Sequence, residues 1–131
     1  MLQVGLKKEI TIKVEDKDTA MQVGSGTLAV FATPRMIALM EECAYKCIAG
    51  ELDSGSTSVG TLMNVSHLAA TPVGMQVTAV AEVTAVEGRR VSFKVTAFDE
   101  AGLIGEGVHD RFIVFEEKFM AKTYSKLDNR G

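Results

Sequence analysis

The chain lacks the excess of basic residues that a nucleic-acid partner calls for. Its 14 Lys and Arg are outnumbered by 17 Asp and Glu, for a formal net charge of −3. General nucleic-acid binding is therefore not expected, although a small phosphate group needs only a few local cations. It also lacks long apolar runs. No stretch approaches the roughly 20 residues of a membrane span, and Lys7, Lys8 and Glu9 interrupt any signal-peptide core near the start. No membrane partner is expected, and a cytoplasmic location is the default. Cysteine is scarce too. Cys43 and Cys47 are the only two, spaced one helical turn apart with no further ligands in view. Reduced core thiols are expected rather than a disulfide or a metal site.

What is present suits one soluble domain, residues 1–131: 47% hydrophobic and 24% charged residues. The stretch from Phe31 to Ile48 organises it. Thr33-Pro34 opens a helix, with Thr as cap and Pro at a position whose N–H has no partner to lose. Gly50 ends it. Met36, Leu39, Met40, Cys43 and Cys47 form one apolar face, and Ile37, Ala44, Tyr45 and Ile48 a second. Glu42 and Lys46 pair on a polar edge. A helix so apolar around its circumference is expected to be largely enclosed. Glu41, beside Ile37, Ala44 and Tyr45, is then a half-buried carboxylate in need of a partner or a purpose.

The rest of the chain reads mostly as strands. Residues 2–14 alternate as a half-buried strand. Glu15-Asp16-Lys17-Asp18 reads as a solvated turn, and Gly24-Ser25-Gly26 as a turn rather than a phosphate loop. Period-two alternation returns at 57–68, where Val59, Met63, Val65 and His67 share a parity. Strands follow over Met75–Val86, Arg89–Phe98 and 103–115, with Glu87-Gly88 as a tight hairpin. The tail from Lys118 is expected to be a short helix or a frayed end. One helix and short connections exclude a doubly wound parallel sheet. An α+β fold follows: an antiparallel sheet curved around one central helix, the last four strands linked by hairpins. One helix covers only part of such a sheet, so self-association is expected.

Three segments carry a resemblance: Thr33-Pro34-Arg35-Met36-Ile37-Ala38-Leu39-Met40-Glu41, Thr57-Ser58-Val59-Gly60-Thr61, and His67-Leu68-Ala69-Ala70-Thr71-Pro72-Val73-Gly74. With Gly88-Arg89, Ile104-Gly105-Glu106-Gly107 and His109-Asp110-Arg111, they resemble the fluoroacetyl-CoA thioesterase-like branch of the hotdog superfamily over roughly residues 5–120. The resemblance implies a hotdog fold, a homodimeric building block (alone or as a dimer of dimers) and hydrolysis of an acyl-CoA thioester. It places the catalytic residues on Thr33, Glu41 and His67, and substrate contacts on Gly60 and Arg111. No metal or redox cofactor is implied, CoA being part of the substrate. The fluoroacetyl-specific type carries bulky aromatics before the helix, whereas Met21–Leu28 has none.

These residue types suit the chemistry. A near-neutral His transfers protons. Glu41 can orient His67, activate water or attack the carbonyl. Thr33 can position water or act as nucleophile, and backbone N–H groups near the helix start or Gly60 can hold the oxyanion. Structural rivals stand beside these roles: Thr33 as a plain cap, His67 as a satisfied strand histidine, Glu41 as an ion-pair partner of Arg111, and His109 as a structural neighbour. Arg35, Arg89 and Arg90 are candidates for the CoA phosphates. The alternative function is a non-catalytic acyl-CoA-binding module on the same fold.

Overall fold

A computed structural model describes residues 1–130. Its elements are β1 (Lys7–Lys13), a 3-10 turn at Asp16–Asp18, α1 (Ala20–Val23), α2 (Thr33–Ala49), β2 (Ser56–His67), β3 (Gln76–Glu87), β4 (Arg90–Asp99), β5 (Gly102–Phe115), α3 (Glu116–Tyr124) and a closing 3-10 turn at Ser125–Leu127. The five strands form one antiparallel sheet in the order β1-β3-β4-β5-β2. This is the hotdog arrangement, α+β, with α2 as the filling.

The core lies between α2 and the middle of the sheet. Met36, Leu39, Met40, Cys43, Ala44 and Ile48 are buried on the helix. Alternate residues of β3 (Val77, Ala79, Ala81, Val83) and β4 (Val91, Phe93, Val95, Ala97) meet them. The period of two in the strands and the 3–4 spacing in the helix are the patterns that bury one face of each. A Cβ on Gly105 of β5 would lie 2.6 Å from Met36 Sδ, so glycine there lets the first turn of α2 settle onto the sheet. Cys43 and Cys47 are free thiols. Burial pushes the Cys43 thiol up to about 11, which leaves it protonated and unreactive.

Several expectations change. The last four strands are not all joined by hairpins. β3, β4 and β5 are, but β2 crosses to the far edge and pairs with β5, because residues 68–75 are too long and too rich in turn residues for a tight reversal. The charged turn is not fully solvated: Asp18 is buried, 3% exposed, and pairs with Arg35 Nε at 3.0 Å. α2 is not enclosed either. Ala38 and Tyr45 are exposed and Ile37 and Glu41 half-exposed, so one helix flank is open along β2. Gly50 caps the helix in a right-handed conformation, φ −72°, not the left-handed one that favours glycine.

The parity of β2 also shifts. Its register with β5 slips between Gly60 and Leu62, and the extra residue, Thr61, is a β-bulge. Ser58 and Gly60 face the helix before it; Met63, Val65 and His67 do so after it. Val59 therefore does not share the face of Met63, Val65 and His67. An inserted residue reverses the alternation, and it is what turns both Gly60 and His67 inward.

Candidate active site

The structure places the five expected residues in two groups on the open flank of α2. The first group is Thr33 and His67. Thr33 is the first helical residue, Ala32 holds the cap position, and the cap makes no side-chain hydrogen bond. Thr33 Oγ1 instead lies 2.7 Å from His67 Nδ1 at the end of β2. The cap role expected of Thr33 is therefore overturned: its hydroxyl is committed to the histidine. His67 Nε2 is shielded from solvent and has no hydrogen-bond partner among the described residues. Burial pulls the imidazole below its usual pKa, partly offset by the backbone of Ala69, which favours the neutral ring a proton acceptor needs. A cleft of about 290 Å³ opens here, lined by Thr33, His67, Ala20, Ser25, Val30 and Ala69 among others. Its outer wall is the segment after Thr19, held by backbone bonds from Ala20 N–H to the Val30 carbonyl and from Phe31 N–H to the Thr71 carbonyl.

The second group is Glu41, Gly60 and Arg111. Glu41 lies eight residues beyond Thr33, about 12 Å along the helix axis. Its Oε2 is 3.7 Å from Arg111 NH1. Arg111 is 7% exposed and fixed by Ser58, Nε donating to the hydroxyl at 2.8 Å and NH2 to the carbonyl at 2.9 Å. A Cβ on Gly60 would stand 2.8 Å from Glu41 Oε2 and 3.2 Å from His109 Cε1. The missing side chain thus leaves bare backbone against a carboxylate. A cleft of about 230 Å³ opens onto it, lined by Glu41, Gly60, Thr61, Leu62, Met63 and His109. A larger cleft of about 670 Å³, between Gly55 and α3, holds neither histidine nor Glu41.

Within one chain, then, Thr33 meets His67 and Glu41 meets Arg111 and Gly60, but the two groups are not in contact. Two further residues join the second group, and only one of them, His109, is weighed from sequence. Ser58 shares parity with Gly60 on the same strand, and that relation is the signal that could have found it. His109, weighed mainly as structural, touches both Gly60 and Arg111. Of the cations considered for CoA phosphates, Arg35 is paired with Asp18 and Arg90 with Glu87. Arg89 lies over the Phe115 ring, 5.1 Å from its centroid, with Lys118 Nζ 5.7 Å from the same ring.

Residues 14–117 match the family model described as FlK, fluoroacetyl-CoA-specific thioesterase. The fluoroacetyl-CoA thioesterase of Streptantibioticus cattleyicolor is 46% identical over 97 residues, 74% of this chain and 70% of the relative. A crystal structure of a single-site mutant of the fluoroacetyl-CoA-specific thioesterase FlK superposes with a TM-score of 0.91 at 37% identity, covering 96% of this chain and 98% of that one. A Thermus thermophilus hypothetical protein of the thioesterase superfamily superposes with a TM-score of 0.89 at 30% identity, covering 99% and 96% of the two chains. Family model, curated relative and solved structures agree, and the chain belongs to the fluoroacetyl-CoA-specific thioesterase family.

Proposed function

We propose that the chain hydrolyses the thioester of a small or modest acyl-CoA to the free acid and CoA. The observation that carries this is Glu41 set against the bare backbone of Gly60 at an open cleft, where a thioester carbonyl can lie within reach of a carboxylate. Glu41 activates water or attacks the carbonyl. Thr33 and His67 supply the hydroxyl and the proton-transferring ring. Peptide N–H groups beside Gly60 or at the start of α2 receive the oxyanion. The segment Met21–Leu28 brings no aromatic to the His67 cleft, which suits acyl groups beyond fluoroacetyl.

The working unit in this reading is a homodimer paired through β2. β2 is an edge strand and carries no Lys, Arg, Asp or Glu in its 12 residues, whereas the opposite edge, β1, is guarded by Lys7, Lys8, Glu9 and Lys13. Antiparallel pairing of two copies about Met63 and Asn64 would set Gly60 opposite His67 of the partner subunit. Each unsatisfied His67 Nε2 would then face the partner's Glu41. The CoA phosphates fall to Arg89, helped by Lys118, because Arg35 and Arg90 already face carboxylates.

The test is free-thiol release from a panel of short, medium and aromatic acyl-CoAs by the wild type, Glu41→Ala and His67→Ala. Each substitution is expected to lower kcat by about a hundredfold or more in a folded dimer. Near-normal rates in both would remove these residues from the chemistry. Acyl-CoA binding by the wild type with no thiol released would favour the non-catalytic binding module.

A further inference from the structure

His109 lies directly beneath Gly60, and the roles above leave it unused. It is 1% exposed. One ring face stacks on Phe93, with centroids 6.0 Å apart and planes at 28°. Nδ1 is 2.8 Å from the Leu62 carbonyl, immediately past the bulge, and Nε2 is 3.2 Å from Arg111 NH1. The partners dictate where the proton sits. A carbonyl only accepts, so Nδ1 carries the hydrogen. A guanidinium only donates, so Nε2 offers its lone pair. One neutral tautomer satisfies both contacts. A second proton would set an imidazolium donor against a guanidinium donor across 3.2 Å, and burial opposes it as well. The other charges around the ring are Glu41 from α2 and Asp110 on its own strand.

The same ring bears on each part of the Glu41 group. Its Cε1 faces the space that a side chain on Gly60 would fill. Its Nδ1 ties the bulged strand to β5. Its Nε2 accepts from NH1, the Arg111 nitrogen that also faces Glu41. Ser58 fixes the other side of the guanidinium, so His109 completes the clamp on the side toward the carboxylate.

We propose that His109 is a positioning residue: a permanently neutral imidazole that links the Gly60–Leu62 bulge to Arg111 and, through Arg111, sets Glu41 against the Gly60 backbone. The role rests on Glu41 being the reacting carboxylate, so one arm of the test reads geometry without substrate. In long-range 15N spectra of the full chain, His109 is expected to show a protonated Nδ1 and a bare Nε2, unchanged from about pH 8 to about pH 5.5. The chain has two histidines, so His67→Gln identifies the signal. A protonated Nε2, or titration near the ordinary histidine value, would overturn the proposal.

The second arm compares His109→Gln with His109→Asn. The longer amide can place its oxygen where Nε2 accepts from Arg111; the shorter one reaches only toward Leu62. The Arg111 NH1 proton resonance, which reports the bond to residue 109, is expected to stay protected from exchange in His109→Gln and to be lost in His109→Asn. In thiol release, His109→Asn is expected to lose about tenfold or more in kcat with KM little changed, and His109→Gln to stay within about threefold of wild type. Equal losses in both, tracking the folded fraction, would reduce His109 to a structural core residue, as would equal activity in both. If the wild type releases no thiol, the hydrolytic reading fails, while the tautomer and the Arg111 resonance still decide the clamp.

Discussion

Single atoms decide whether this site works, and two residues show it from opposite directions. At Gly60 the relevant atom is the one that is missing. Adding a Cβ would place it 2.8 Å from Glu41 Oε2, inside van der Waals contact, so the carboxylate or the strand must move. Gly60→Ala is therefore expected to cost about 1 to 2 kcal/mol in a denaturant titration and about a hundredfold in kcat. Activity would suffer more than stability because the displaced group is the carboxylate proposed to react. At Thr33 the relevant atom is the hydroxyl, and it does not cap the helix. Thr33→Ala is expected to shift unfolding by less than about 0.5 kcal/mol, where loss of a true cap costs about 1 kcal/mol, while thiol release falls sharply. A stability loss at the cap value with normal hydrolysis would return Thr33 to a structural role. From sequence the Thr-Pro pair located the helix start correctly but not which residue capped it. Local propensity fixes where a helix begins; a partner 34 residues away claims the side chain.

Among the elements, α2 and the β3–β4–β5 meander were legible because each rests on local periodicity and turn chemistry, whereas the tail reads from sequence as either a short helix or a frayed end. The bulge at Thr61 and the β2–β5 pairing were not, since alternation through Val59, Thr61 and Met63 looks unbroken until a neighbouring strand sets the register. Nor was the Asp18–Arg35 pair legible, because a charged tetrapeptide reads as solvated until something folds over it. That pair has a measurable consequence. Asp18 also accepts from Glu15 N–H at 2.9 Å, and its carbonyl accepts from Ala32 N–H, so it joins the turn before α1 to the start of α2. Asp18→Ala is expected to destabilise the fold by about 2 to 4 kcal/mol, below the value for a fully enclosed pair because Arg35 can rehydrate. Hydrogen exchange is expected to quicken most in residues 20–32, the wall of the His67 cleft. Unchanged exchange there would mean that the segment is held by its backbone bonds alone.

For the whole molecule, the separation of the two groups becomes the decisive fact. Thr33 and His67 lie at one end of α2, and Glu41 lies about 12 Å along its axis, so one copy offers two half-sites. In the proposed dimer the copies join along the uncharged edge β2, and a two-fold axis near Met63 and Asn64 would make each half-site meet the other kind. This has a numerical signature. Glu41→Ala and His67→Ala homodimers would each lack one half of every site. Unfolded together in equal amounts and refolded, they would form heterodimers as about half of the population, each with one intact site of two, so hydrolysis should return to about a quarter of wild type. If Glu41 and His67 acted within one chain, every site in the mixture would lack one of them, and no activity would return. Recovery that also depends on protein concentration, falling away as the subunits dissociate, would tie the intact site to the β2 edge rather than to residual activity of either variant.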